Sequence, residues 1–232
     1  MEIDRVALIS GASRGIGAAV ARTLHDAGWK VSLGMRTPKM PDWADPGWVH
    51  LMAYDAADPG SAERWAAQAR AALGPVTAVI ANAGIMIPKN VIEADDSDLD
   101  AMFDINVKAP RRLVRAAWDD LVACGAGRII VLASLSGKRV KSAGSSSYSV
   151  TKFAAVALTH GFRQCGFDHG IRATAVCPGF VATDMATSLT DKPAADMTQP
   201  GDLAASIAML LALPNTASVT EFHVNCQAEE LY

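Results

Sequence analysis

A three-layer α/β fold, with a seven-stranded parallel sheet covered by helices on both faces, is what this sequence predicts. Three observations carry that reading. Seven short apolar runs alternate with longer, alanine-rich amphipathic stretches along the 232 residues. Those runs are almost continuously apolar, as strands buried on both faces are, instead of alternating apolar with polar. The first run also passes through a glycine-rich turn, Ser10-Gly11-Ala12-Ser13-Arg14-Gly15-Ile16-Gly17, directly into a helical repeat.

Taken in order, residues 6–9 read as the first strand. Ile16, Val20, Leu24 and Ala27 then recur at helical spacing, and Gly28 stops that helix. A second strand spans 30–33, and a loop rich in Pro and Trp follows from 37 to 47. The third strand, 49–52, closes on Asp55. A helix over 61–73 ends at Gly74-Pro75, and the fourth strand is 76–80. Residues 97–124 hold two helical stretches joined near Asn106, where Pro110 fits a first-turn or kink position. The fifth strand is 128–132. The stretch 142–149 is rich in Ser and Gly but too short for a linker, so it reads as a loop entering a helix over 145–167. A sixth strand (171–176), a helix (202–213) and a last strand (218–224) complete the alternation. With no linker, repeat or break in composition, residues 1–232 read as one domain.

The bulk numbers exclude several classes. Half of the residues are apolar and the formal net charge is −3, so no basic surface points to nucleic acid and no acidic tail to disorder. No apolar run approaches bilayer length, and the acidic start, Met1-Glu2-Ile3-Asp4-Arg5, is unlike a signal peptide. Cys124, Cys165, Cys177 and Cys226 show no metal or redox spacing and read as buried reduced thiols of a cytoplasmic protein. The five histidines form no paired pattern, so no metal site is expected.

Two pieces of chemistry stand out. A glycine turn between a strand and a helix lets backbone approach a pyrophosphate at the helix N-terminus, as in a doubly wound Rossmann fold. The spacing here is G-x-x-x-G-x-G. After the second strand stands Gly34-Met35-Arg36, with no acid to accept from a ribose 2′-hydroxyl. Arg14 and Arg36 suit a 2′-phosphate instead. Further on, Tyr148 and Lys152 lie four residues apart, hence on one face of a helix. A free phenol, with a pKa of about 10, is a poor proton shuttle at neutral pH, and a neighbouring cation favours its ionised form.

With these motifs in place, the chain resembles the single-domain short-chain dehydrogenase/reductase family, in its carbonyl reductase-like branch, over essentially its whole length. The resemblance implies that Gly11, Ser13, Arg14, Gly15, Ile16 and Gly17 form the cofactor turn for NADP(H). It matches Asp55 to the acid that meets the adenine, and Asn82-Ala83-Gly84 to the segment beside the adenosine. It matches Asn106 to the asparagine that kinks a helix and holds a water beside the lysine. Ser134 matches the serine after the fifth strand, with Gly137 in register, although Ser136 competes and the spacing to Tyr148 is one residue long. The resemblance makes Tyr148 and Lys152 the catalytic pair, with Lys152 also on the nicotinamide ribose. Pro178, Gly179, Val181 and Thr183 match the segment that cradles the nicotinamide.

The implied function is NADPH-dependent interconversion of a ketone or aldehyde with an alcohol. Tyr148 would be the general acid/base, Ser134 would hold the carbonyl oxygen, and Asn106 would link Lys152 to a proton relay. A dinucleotide-binding regulator that has lost turnover is the competing class. A 3-oxoacyl thioester reductase is the competing enzyme, although residues 221–227 lack the D-G-G ending common in that group. Ile85, Met86, Val140, Phe180 and Val181 outline an apolar substrate pocket, and 184–200 reads as a lid. No arginine or lysine is evidently placed for a substrate carboxylate, so a neutral carbonyl is expected. The expected assembly is a homotetramer or homodimer, built on the helices at 107–124 and 145–167 and on Phe222 and Leu231.

Overall fold

The computed structural model describes residues 5–228. Seven parallel strands form one sheet in the order β3-β2-β1-β4-β5-β6-β7. They are β1 (Val6–Ser10), β2 (Lys30–Met35), β3 (Val49–Ala53), β4 (Ala78–Ala81), β5 (Arg128–Leu132), β6 (Arg172–Pro178) and β7 (Glu221–Val224). The helices are α1 (Gly15–Asp26), α2 (Ser61–Leu73), α3 (Asp96–Phe103), α4 (Ala109–Ala116), α5 (Trp118–Ala123), α6 (Ser146–Gly166), α7 (Asp184–Thr187) and α8 (Pro200–Ala212). This is the doubly wound Rossmann architecture that the alternation of runs predicts.

The side-chain alternation of β1 shows why the strands are apolar throughout. Ala7 and Ile9 point to one face and pack with Val20 and Leu24 of α1 and Ile207 and Leu211 of α8. Leu8 points to the other face and joins Trp65 of α2, Leu113 and Val114 of α4 and Ala155 of α6. A side chain of this size, fully buried, contributes about 1.5–3 kcal/mol, and a polar residue on either face would forfeit it.

Most strands differ by a residue or two from their sequence boundaries, and two of them start two or three residues late. β4 begins at Ala78 because Thr77 uses its hydroxyl as well as its N–H on Val6. β7 begins at Glu221, since Val219 accepts from the Thr174 side chain instead of entering the ladder. The kink near Asn106 is one wide π-helical turn, Asp104–Lys108, between α3 and α4. Residues 184–200 are not plain loop. They contain α7 and a 3₁₀ turn, Ala194–Asp196, and their base is pinned by a bridge between Val181 and Thr198. Of the four cysteines only Cys177 is buried, and Cys165 is exposed, so the expectation of four buried thiols fails. Among the described residues no helix is long and apolar enough to cross a membrane.

Candidate active site

The strand order reverses between β1 and β4, and a crevice opens there at the C-terminal ends of the strands. Its floor is the glycine turn. Gly11 (φ +66) and Gly15 (φ +57) occupy left-handed backbone that side chains rarely adopt. Gly17 is needed for a different reason. A Cβ there would stand 2.3 Å from the Gly11 carbonyl, so only glycine lets α1 start this close to the turn. Asn82 locks the arrangement from the neighbouring strand by donating to the Ser10 and Gly11 carbonyls, at 3.0 and 3.2 Å.

A cavity of about 680 Å³ runs along this crevice. It brings together Gly11, Ser13, Arg14, Gly15, Ile16, Arg36, Asp55, Asn82, Ala83 and Gly84 with Ser134, Tyr148, Lys152, Pro178 and Thr183. Three expected cofactor residues stand elsewhere. Gly17 is buried behind the turn, and Gly179 and Val181 line a second cavity. Asp55 is exposed, its carboxylate accepting from Ala57 N–H at 2.9 Å. Arg14 is already engaged, donating to Asp184 of α7 at 2.5 Å in an ion pair exposed on both sides. The cavity also takes in Ile105, Ala182 and Met185, which carry no motif signature.

At the inner end, the chain brings the four expected catalytic residues to one place. Asn106 is buried in the π turn. Its Oδ1 accepts from Ile85 N–H at 2.9 Å, and its Nδ2 donates to the Ile85 carbonyl (2.9 Å) and to Thr151 Oγ1 (3.0 Å). Gly84 separates it from Lys152, since a Cβ there would lie 3.2 Å from Asn106 Oδ1 and 3.7 Å from Lys152 Nζ. Lys152 is buried beneath Tyr148, with Nζ 5.5 Å from the ring centre. It donates to the Leu132 carbonyl at 2.7 Å. Burial lowers its pKa to about 8.

Burial also pushes the Tyr148 phenol above its ordinary range, and a hydrogen bond with Ser134 opposes that rise. The Lys152 ammonium stands on the ring side of the same phenol. Ser134 lines both cavities, whereas Ser136 lines only the second. Ser134 begins the 3₁₀ turn Leu135–Gly137, and its Oγ accepts from Ser136 N–H at 3.0 Å.

Ser134 and Tyr148 are shared with the second cavity, of about 360 Å³, which opens from the first. Met86, Phe180 and Val181 line it as expected, whereas Ile85 belongs to the first cavity and Val140 is 57% exposed and lines neither. Two residues that the sequence reading missed, Arg139 and Lys141, line this second cavity. The apolar lining expected from the sequence therefore includes two basic residues as well. The signal was the basic run just after Ser134, but only the path of the turn decides which of its members face inward.

Comparison with known proteins shows what the chain as a whole is similar to. The family model described as short chain dehydrogenase matches residues 5–194. An agropine synthesis reductase of Rhizobium rhizogenes is 35% identical over 98% of this chain and 54% of its own length. The chain thus spans about half the length of the agropine synthesis reductases it matches. An acetoacetyl-CoA reductase of Synechocystis is 29% identical over 94% of this chain and 92% of its own. Among solved structures, an alcohol dehydrogenase of Thermococcus sibiricus complexed with 5-hydroxy-NADP superposes with a TM-score of 0.84. It is 28% identical and covers 97% of this chain and 99% of its own.

Proposed function

The chain belongs to the short chain dehydrogenase family, and on that premise we propose an NADP(H)-dependent oxidoreductase that interconverts a carbonyl and an alcohol. Residues 1–232 are read as one unit carrying both the cofactor and the substrate site. The observation that carries the proposal is the junction of the two cavities. There the buried Tyr148 and the Ser134 hydroxyl line both cavities.

The crevice suits a dinucleotide because of what its glycines leave open. Any Cβ at Gly11 or Gly17 would meet backbone or the Asn82 amide at under 3 Å. Gly11, Ser13, Gly15 and Ile16 would hold the pyrophosphate, Asp55 and Ala83 the adenosine, Arg36 and Arg14 the 2′-phosphate, and Lys152 with Thr183 the nicotinamide side. When bound, the nicotinamide supplies or takes the hydride.

The chain's own part is proton handling and orientation. Burial keeps Tyr148 neutral at pH 7, the form able to give a proton to a carbonyl oxygen. Ser134 donates a hydrogen bond to that oxygen as charge develops on it. Lys152, held by the Leu132 carbonyl, places a cation beneath the phenol, and Asn106 fixes the Ile85 backbone above it. A regulator without turnover would have no need of this set, and the 3-oxoacyl thioester reading shares it but adds a larger substrate.

The test is NADPH oxidation with a panel of aldehydes, ketones and diketones, on wild type and Tyr148→Phe. The variant keeps the ring and loses the proton, so turnover should fall by about 10²–10⁴ while NADPH still binds. A variant retaining more than about a tenth of the wild-type rate would remove Tyr148 from the role of acid.

A further inference from the structure

The proposed chemistry needs the Ser134 hydroxyl at a fixed point, yet Ser134 stands at a turn and not within a strand or an α-helix. The N–H of Gly137 closes that turn on the Ser134 carbonyl, and the N–H of Lys138 on the Leu135 carbonyl, each at 2.9 Å. Gly137 wedges the turn against α6, where a Cβ would stand 2.6 Å from the Lys152 carbonyl. Leu135 packs into a small apolar cluster with Ala133, Val156, Ala175 and Cys177.

A charged cluster borders these residues. On β7, Glu221 and His223 pair in register with Ala175 and Cys177 of β6, so their side chains share one face of the sheet. Lys138 Nζ donates to Glu221 Oε1 at 3.0 Å and stands 2.8 Å from Oε2. His223 Nε2 lies 3.0 Å from Oε2, and His160 Nε2, further along α6 from Lys152, lies 3.1 Å from Oε1. The Glu221 side chain is only 17% exposed, so water screens these charges less than at a surface pair. Burial by itself would raise its carboxyl, but the bonds with Lys138 and His223 outweigh that and hold the group below the usual carboxylate range. One carboxylate thus joins β7 to α6 and to the end of the serine turn.

Resting on the carbonyl-reductase reading, we propose that Glu221 is a positioning residue: through Lys138 it fixes the turn that aims Ser134 at the reacting carbonyl. Glu221 lines neither cavity, so whatever it does for turnover passes through other residues. A hydrogen bond between charged groups holds its partners more tightly than a neutral one does. The backbone between Lys138 and Ser134 is closed by the bonds of the turn, so a shift of Lys138 is carried to the serine. Catalytic groups need placement to within about 0.5 Å, and a small displacement therefore costs rate.

The test measures the single-turnover rate of NADPH oxidation with a ketone that the wild type reduces, and the Kd of NADPH. It compares wild type, Glu221→Gln, Ser134→Ala and the double variant. Glu221→Gln keeps the size of the side chain and removes its charge. The rate should fall by about tenfold while the Kd of NADPH is nearly unmoved. In the Ser134→Ala background the same change should cost less than about twofold, because the hydroxyl it positions is already gone. A residue that only supports the fold would slow both backgrounds alike. Glu221→Asp should recover part of the rate, and melting curves confirm that each variant is folded. Should Glu221→Gln fail to fold, Lys138→Gln takes its place in the cycle. Equal losses in the two backgrounds, or no loss in either, would overturn the inference while leaving the reductase reading intact. If no carbonyl oxidises NADPH, the reductase reading fails instead, and crystal structures of wild type and variant decide the positioning. Ser134 Oγ should then move by more than about 0.5 Å, and a hydroxyl that keeps its wild-type place would overturn the inference.

Discussion

Lys152 is a cation kept in a place that costs it solvation, and its chemistry and its stability pull in opposite directions. Its pKa in the folded chain, about 8, lies below the ordinary value of 10.5. The folded state therefore binds this proton less tightly than the unfolded state does. The resulting penalty is fully present below about pH 8 and fades as pH rises towards 10.5. Lys152→Met should accordingly stabilise the cofactor-free protein at pH 7, by on the order of 1–2 kcal/mol once the lost bond to the Leu132 carbonyl is discounted. The advantage should vanish or reverse near pH 10. Urea titrations of both proteins at pH 7 and pH 10 measure it, and equal differences at the two values would mean that burial of the charge is not the cause.

Also at the scale of single residues, Arg36 and Arg14 are not equivalent. Both are exposed beside the cofactor crevice, but Arg14 is paired with Asp184, whereas Arg36 follows the buried Met35 at the position where an acid would repel a 2′-phosphate. Arg36→Ala should raise KM for NADPH by about tenfold, the lower end for a charged hydrogen bond because the site is open to solvent, with NADH kinetics nearly unmoved. Efficiencies for both cofactors on wild type and variant measure this. A variant losing NADH and NADPH activity alike would make Arg36 a bystander.

At the scale of elements, the π turn Asp104–Lys108 joins α3, α4 and α6 to the loop after β4. Asn106 does this with one amide, which satisfies both backbone groups of Ile85 and meets Thr151 of α6. Asn106→Ala leaves those partly buried groups without their side-chain partner, at about 1–3 kcal/mol for each group that water cannot reach. A total loss of about 2–4 kcal/mol in urea-unfolding free energy is expected. A loss below about 0.5 kcal/mol would show that the turn holds without its clamp. The segment 184–200 is a second composite element. Thr183 caps α7 and packs its methyl 3.1 Å from the Cβ position of Gly15, so the cap of α7 and the glycine turn touch. The Arg14–Asp184 pair spans the same gap.

At the scale of the whole molecule, α6 presents Val150 and Phe153, each close to half exposed, on the side of the helix away from the buried Tyr148 and Lys152. Apolar side chains on the outer face of the catalytic helix motivate the proposal of a homotetramer with two-fold axes, or a homodimer on this face alone. Phe222 is partly buried against the core, and Leu231 lies outside the described residues, so the second contact rests on the open edge of β7. Sedimentation at micromolar concentration should show a multimer, and Phe153→Asp should lower its mass. A wild-type chain sedimenting as a monomer would refute the assembly.

What the sequence by itself determined was local and periodic. Strand runs had to be apolar throughout because both sheet faces are covered, so seven strands and their covering helices were legible to within a few residues. The glycine turn was legible because Gly11 and Gly15 need φ values that other residues rarely adopt. The positions of Tyr148 and Lys152 were legible because four residues make one helical turn. What only the tertiary structure decided depends on contacts between distant segments. Ser134 and Tyr148 come to the junction of two cavities, which follows from how β5 and α6 pack. Arg14 is spoken for by Asp184, 170 positions away. Arg139 and Lys141 line the second cavity while Lys138 pairs with Glu221. A basic run shows its charge in sequence, but the direction in which each side chain points is a property of the packed turn that carries it.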